Sequence, residues 1–434
     1  MKTLKSLINM RPFEGYLYAY PHKTAYRTFH QPLKLEEVWK YEDLKRLFLY
    51  IHIPFCEMRC GFCNLFTLNG QKINKASEYL SAMRREAETI ASILPDANFS
   101  QIAIGGGTPT FLNVEELEDL FEIIGLLTQE KLPLSIESSP GRTTPEHLKC
   151  LEARGVNRIS LGVESFSQVF LKAMGRPEKS ELSKIALDNI RILTSANLNI
   201  DLIYGSHGQT VQDFKTDIAT ALNWQPEQIF LYPLYVGNLT GLARTRSETE
   251  DWDGQRLTLY RQGRDQLLSA GYQQVSQRKF IKTADDITDY SCQEDGMIGL
   301  GAGARSYTKS VHYSWDYAVG RKAIAGIIDQ YSDCRDFSKI HHGIQLSLEE
   351  EQRRYVIKSV LNREGLDLPR FKTRFGIDAV SAFEELEVLL DAKYLFQDQQ
   401  ILRPTSLGFE RADAMGPFLI SSGVEQSMKD YQWA

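Results

Sequence analysis

No stretch of this chain approaches the roughly 20 consecutive apolar residues that a membrane-spanning helix needs. The N-terminus, Met1 to Met10, lacks the long apolar core of a secretory signal peptide. Cysteine is scarce, with six in 434 residues, so a disulfide framework is excluded. These absences make the cytoplasm, where thiols stay reduced, the expected location. Positive charge is not in excess either. A formal net charge of −6 argues against a broad nucleic-acid surface. Internal repeats and low-complexity tracts are missing. What remains is ordinary globular composition, 42% hydrophobic and 24% charged, in a chain long enough for two or three domains.

Three of the few cysteines fall together. Cys56, Cys60 and Cys63 stand at the spacing C-x3-C-x2-C, directly after the apolar run Leu47 to Ile53 and the strand-stopping Pro54. Three thiolates on one loop can converge on one metal centre. They are one short of the four that close an ordinary iron–sulfur cluster. An open position is what distinguishes a catalytic metal site from a closed structural one. A zinc site would show paired C-x2-C units, and there is no second pair. Cys150, Cys292 and Cys334 are isolated and read as small buried hydrophobes.

From about residue 46 to 235, short apolar strands alternate with longer amphipathic helices. Strands are expected at Leu47–Ile53, Gln101–Ile104, Leu134–Ile136, Arg158–Val163, Leu198–Ile203 and Gln228–Leu231. Helices are expected at Ala76–Leu94, Val114–Leu127, Glu181–Thr194 and Val211–Trp224. Six strand–helix units imply an α/β fold with parallel strands and right-handed crossovers, a partial (β/α)6 TIM-like barrel. Its active site belongs at the C-terminal strand ends, and polar residues gather there. After strand two comes Gly105-Gly106-Gly107-Thr108-Pro109-Thr110, either a loop of bare amides for a ligand or a tight turn before a helix. Glu137 ends strand three, either a carboxylate that can accept from paired ribose hydroxyls or a surface glutamate. Glu164 ends strand four, Arg176 follows, and Asp201 lies inside strand five. A charge inside an apolar strand needs a partner or a ligand, and Arg176 is the candidate partner.

The cysteine spacing, led in by Tyr50-Ile51-His52-Ile53-Pro54-Phe55, resembles the radical S-adenosylmethionine (SAM) superfamily. Within it, the chain resembles the oxygen-independent coproporphyrinogen III oxidases and their haem-chaperone and methyltransferase-like relatives. The resemblance implies that Cys56, Cys60 and Cys63 hold a [4Fe–4S] cluster and that SAM chelates its open iron. An electron from a donor such as flavodoxin or ferredoxin would then cleave SAM to a 5′-deoxyadenosyl radical that abstracts hydrogen from a small-molecule substrate. It also implies SAM contacts from Gly106, Gly107 and Thr108, a ribose contact from Glu137, and Glu164, Arg176 and Asp201 around the cofactor. Tyr50 would lie beside bound SAM. Four positions depart from the family pattern: Glu164 where relatives carry Gln, Ser206-His207 where they carry Leu-Pro, and Leu65 where the oxidases proper carry a further cysteine. The last weakens porphyrinogen decarboxylation as the activity. It leaves another hydrogen abstraction, methyl transfer with a second SAM, or a haem-binding chaperone that keeps the cluster.

The flanks complete the expectation. Residues 1–45 form an aromatic arm, with Tyr16, Tyr18 and Tyr20 at period two. It is read either as packed outside the main domain or as a lid bringing His22, Lys23 or Arg27 to an anionic substrate. Residues 46–340 carry the barrel and its extension, including the Gly-rich run Met297–Tyr307 with Arg305 as a candidate carboxylate ligand. Residues 341–434 read as a C-terminal winged-helix-like helical domain, with helices at Leu348–Leu361, Leu368–Phe375 and Ala379–Leu390 and a hairpin over Tyr394–Leu402. Its basic sector, Arg353 to Arg374, is read as a solvated face because acids are interleaved.

Overall fold

The computed structural model describes residues 2–70, 75–176, 178–237, 240–244, 251–283 and 293–432. Cys292 lies outside the described residues. All six expected barrel strands form, at Leu47–Ile53, Phe99–Gly106, Leu134–Ser138, Arg158–Glu164, Asn197–Tyr204 and Gln228–Pro233. They lie side by side in chain order and parallel. The helices between them include Ala76–Ile93, Val114–Gly125, Ser180–Leu193 and Val211–Leu222, with Pro145–Ala153 and Gln168–Ala173 in addition. The strands read as apolar runs because both faces are covered. In the first, Leu47, Leu49, Ile51 and Ile53 are fully buried. The result is a partial barrel with a C-terminal helical domain.

The sheet extends further than the apolar alternation indicates. Met297–Leu300 runs parallel to the outer side of the first strand, pairing Gly299 with Tyr50. Beyond it come antiparallel strands Arg305–Tyr307, Val311–Ser314, Lys339–Gln345 and, from the N-terminal arm, Arg27–Lys34. At the opposite edge, Lys279–Ile281 pairs antiparallel with Gln228–Pro233. The glycines at 299 and 301 serve this close packing. A Cβ on Gly299 would lie 2.4 Å from the Arg305 carbonyl oxygen.

The arm is neither wholly outside the barrel nor wholly a lid. Phe13 belongs to the barrel core, whereas Leu7, Leu17, Tyr20 and Ala25 are buried in the core of the C-terminal domain. Arg27 donates to the backbone carbonyls of Thr24 and Tyr26, at 2.9 and 2.7 Å, and of Ser427. The C-terminal domain has helices Leu348–Val360 and Leu368–Phe375 and a hairpin of Leu395–Asp398 with Ile401–Pro404. The helix expected over Ala379–Leu390 is two, Ala379–Ala382 and Glu385–Asp391. The break lies at Phe383, whose non-helical backbone lets its ring pack into the core against Phe371. The basic sector is largely engaged internally: Arg353 with Glu385, Arg354 and Arg374 with Glu294, and Lys358 with the Tyr18 carbonyl. Arg363, Arg370 and Lys372 stay exposed, as expected of a solvated face.

One buried carboxyl ties the barrel's outer helix to the Gly-rich loop. Glu86 Oε2 accepts from the Gly301 amide at 2.8 Å and from the Tyr331 hydroxyl at 2.7 Å. Burial pushes its carboxyl up to about 7. A folded-state pKa above the unfolded value means the protonated form is favoured by folding. The contribution is therefore intact below pH 4.5 and is lost as pH rises through about 7. A glutamine side chain in its place can accept the same two bonds without the charge. Thermal midpoints of Glu86→Gln relative to wild type are expected to move in the variant's favour between pH 5 and pH 8. A difference that does not change with pH would contradict the assignment.

Candidate radical SAM site

The first strand sets the position of the cysteine loop. Its register places Ile53 beside Gly106 of the second strand, so the cysteine loop and the glycine loop leave the sheet at one level. Phe55–Cys56 pairs parallel with Leu68–Asn69, closing the loop at its base. The loop is then held on both sides. Gly107 N–H donates to the Ile53 carbonyl and Thr108 N–H to the Phe55 carbonyl, each at 2.8 Å. Gly61 N–H donates to the Met174 and Gly175 carbonyls at 3.1 and 3.2 Å.

The three thiols are free and partly exposed. Cys56 Sγ accepts from the Thr108 hydroxyl at 3.6 Å, and Cys60 Sγ lies 3.8 Å from Arg176 Nη1. Cys63 Sγ is 4.0 Å from the Thr67 hydroxyl. Burial pushes the Cys56 thiol up to about 12 and the Cys60 thiol up to about 11. Lone thiolates are therefore disfavoured here, and a cationic centre is what would stabilise them. Among the described residues, no three His, Cys, Asp or Glu side chains are grouped to hold a single metal ion. A polynuclear cluster makes a different demand, one thiolate for each of three separate irons. The donor set of three free thiols, with no fourth cysteine beside it among the described residues, fits that group.

Each glycine of the second loop has a close neighbour, movable only at Gly105. A Cβ on Gly105 would lie 2.8 Å from Glu137 Oε2, one on Gly106 2.6 Å from the His52 ring, and one on Gly107 2.9 Å from Cys56 Sγ. Gly106 also has φ +112°, a conformation that glycine adopts without strain. The loop is a backbone cradle laid between the cysteines and Glu137.

Glu137 opens onto the space above the strands and accepts from the Gly106 amide at 3.0 Å. The surrounding barrel wall raises its carboxyl, and the Gly106 bond partly offsets this. Tyr50 points its hydroxyl at His52 Nδ1, 3.3 Å away, while His52 Nε2 lies 3.0 Å from the Phe66 carbonyl. Burial holds His52 down to about 4, so the ring is neutral. Its Nε2 therefore donates to Phe66, and Nδ1 accepts from Tyr50.

Asp201 does not pair with Arg176. It accepts from Asn199 Nδ2 at 2.8 Å and from the Ser160 hydroxyl at 3.5 Å, and burial raises its carboxyl to about 6. Asn199 sits two residues before Asp201 and so shares its face of the strand, a signal visible in the sequence. Arg176 instead binds Glu164 at 2.9 Å and Glu178 at 2.9 Å. Burial pushes Glu164 up to about 7 against the pull of Arg176. His207 is exposed on its loop. Arg305 Nη1 donates to the Tyr18 hydroxyl at 2.9 Å, and Lys23 Nζ stands 3.5 Å over the Tyr317 ring. Although burial raises the Tyr18 phenol, Arg305 and Lys23 together bring it down to about 8. The sequence reading had not marked Glu178 or Tyr18 as polar site residues.

Residues 50–221 match the radical SAM superfamily, and residues 346–410 match the HemN C-terminal domain. The oxygen-independent coproporphyrinogen III oxidase of Pseudomonas aeruginosa is 28% identical over 430 residues, covering 93% of this chain and 90% of that protein. The heme chaperone HemW of Bacillus subtilis is 30% identical over 273 residues, covering 59% of this chain and 70% of HemW. The chain belongs to the radical SAM superfamily. Within it, the chain sits in the HemN-like subfamily, whose members use a [4Fe–4S] cluster and SAM. The solved structure of coproporphyrinogen III oxidase (HemN) from Escherichia coli has the same fold, with a TM-score of 0.80 at 23% identity over 94% of this chain and 97% of that one. Radical SAM enzymes act on small-molecule substrates with the help of a reductant. No described helix is long and apolar enough to cross a membrane.

Proposed function

We propose that Cys56, Cys60 and Cys63 hold the cluster and that the substrate is a tetrapyrrole from which hydrogen is abstracted. When bound, the cluster and SAM supply reductive cleavage of SAM and a 5′-deoxyadenosyl radical. The protein's own part is placement. The loop of Gly106, Gly107 and Thr108 receives the amino-acid end of SAM; with the two glycine amides held by Glu137 and Ile53, the Thr108 hydroxyl oxygen accepts from the SAM amino group. Glu137 and Asp201 face the ribose hydroxyls, and Tyr50, fixed by His52, walls the side beneath the arm. Glu164 and Arg176 border the same space. The arm and the C-terminal domain cover the strand ends and limit entry of water, which would otherwise quench reactive chemistry.

The observation that carries this reading is the glycine cradle, closed by Cys56 on one side and Glu137 on the other. Similarity to coproporphyrinogen III oxidases along nearly the whole chain supports the substrate class. Free thiols among the described cysteines suit work in the cytoplasm, with flavodoxin or ferredoxin as electron donor. The test is to give the reduced, cluster-loaded protein coproporphyrinogen III, then haem. Substrate-dependent 5′-deoxyadenosine with loss of carboxyl groups supports decarboxylation. Deoxyadenosine with haem alone moves the activity to another tetrapyrrole. The similarity to HemW favours a second reading, in which haem binds tightly without stimulating SAM cleavage.

A further inference from the structure

Arg176 carries five N–H donors, and the structure engages all of them. Nε donates to Glu178 Oε2 at 3.2 Å. Nη2 donates to Glu178 Oε2 at 2.9 Å and to the Gly162 carbonyl at 2.7 Å. Nη1 donates to Glu164 Oε1 at 2.9 Å and faces Cys60 Sγ at 3.8 Å. The guanidinium is buried, at 6% exposure. A fully engaged arginine has no donor left for a ligand carboxylate unless one of these bonds breaks.

The partners are themselves fixed. Glu164 has φ +65°, a left-handed conformation uncommon for a residue with a side chain. A latch behind it holds this conformation: Asp217 accepts from the Ser165 hydroxyl at 2.6 Å and from the Phe166 amide at 2.9 Å. Glu178 is anchored on its other side by the Gly141 amide at 2.5 Å. The turn before Arg176 is pressed on the cysteine loop, since a Cβ on Gly61 would meet the Met174 carbonyl at 2.8 Å. One guanidinium between two carboxylates therefore sits rigidly against the sulfur of Cys60. With both carboxylates ionised, the group has a net negative charge.

We propose that Glu164, Arg176 and Glu178 form a charge clamp that sets the reduction potential of the centre held by Cys60. This rests on the assignment of Cys60 as a cluster ligand. Hydrogen bonds to ligand sulfurs and the net charge around a cluster are levers on its potential. The positive end of Arg176 eases electron uptake, and the two glutamates oppose it. Glutamate at 164 adds a negative charge that a glutamine there would not. The clamp thus holds the centre at a lower potential, where its reduced form is a stronger reductant. Arg176 and Glu178 act through Cys60 and are positioning residues.

The test is an anaerobic redox titration of the cluster-loaded protein at pH 8.5, followed by electron paramagnetic resonance, with iron content and SAM affinity measured on the same samples. Glu164→Gln and Glu178→Gln are each expected to raise the midpoint potential, and the double variant to raise it further. Midpoints unchanged in both single variants would overturn the clamp. So would a Glu164→Gln variant that loses SAM affinity at an unchanged potential, which would return Glu164 and Arg176 to direct SAM contact. A wild-type protein that takes up no iron would instead refute the assignment of Cys60, and the two failures are distinguishable.

Discussion

Cys60→Ala is expected to bring bound iron and sulfide to background while the far-ultraviolet circular dichroism and thermal midpoint of the metal-free protein stay close to wild type. Both halves follow from the position of the residue. Among the described residues, neither further cysteine offers itself in place of a proposed ligand thiolate: Cys150 is buried, and the Cys334 backbone carbonyl bonds to Arg85 of the outer helix. The fold asks little of the side chain. Cys60 is partly exposed, is absent from the hydrophobic cores, and its sulfur faces Arg176 Nη1 at 3.8 Å. Losing one small side chain outside those cores costs about 1 kcal/mol or less. Iron kept at wild-type levels would sink the ligand assignment. Collapse of the metal-free fold would show that the loop is structural.

Gly106→Ala is expected to carry the largest effect of any single methyl group in the site. The new Cβ would lie 2.6 Å from the His52 ring. That ring cannot retreat, because its Nε2 is tied to Phe66 and a Cβ on Gly303 behind it would already be at 2.3 Å. The backbone at φ +112° must move instead, carrying the Gly106 amide away from Glu137. Holding a non-glycine residue in such a conformation costs about 1–3 kcal/mol, which lowers the thermal midpoint. Displacing the cradle should weaken SAM binding by at least about tenfold, the equivalent of one such hydrogen bond. Calorimetry and equilibrium binding of SAM read the two effects. Gly105→Ala is the control for position. Its Cβ meets only the movable carboxylate of Glu137, so SAM binding should fall with a smaller loss of stability. Equal midpoints for Gly106→Ala and wild type would contradict the steric account.

The barrel was legible because parallel strands buried on both faces have to be written as apolar runs. The first strand, Leu47–Ile53, was delimited correctly from its apolar run and Pro54. The others were recovered short at their C-terminal ends, where Gly105-Gly106, Glu137-Ser138 and Glu164 continue the ladder with glycine and polar residues in place of apolar ones. The outer half of the sheet was not legible. Strands of three or four residues such as Arg305–Tyr307 carry too little pattern, and Met297–Leu300 is interrupted by Gly299. The partner of Asp201 was misread for a conformational reason. Nothing in the sequence reports that Glu164 adopts a positive φ, which turns it toward Arg176 and leaves Asp201 to Asn199 and Ser160. The arm's burial against the C-terminal domain depends on contacts between residues some 400 positions apart, such as Arg27 with Ser427, and local pattern carries no trace of these.

The most direct test of the whole account is anaerobic. The protein is reconstituted with iron and sulfide, given SAM and a strong one-electron reductant, and assayed for 5′-deoxyadenosine beside a variant with Cys56, Cys60 and Cys63 all replaced by alanine. The account predicts deoxyadenosine from the wild type and none above background from the variant. A wild-type protein that carries a full cluster, binds SAM and makes no deoxyadenosine would contradict it.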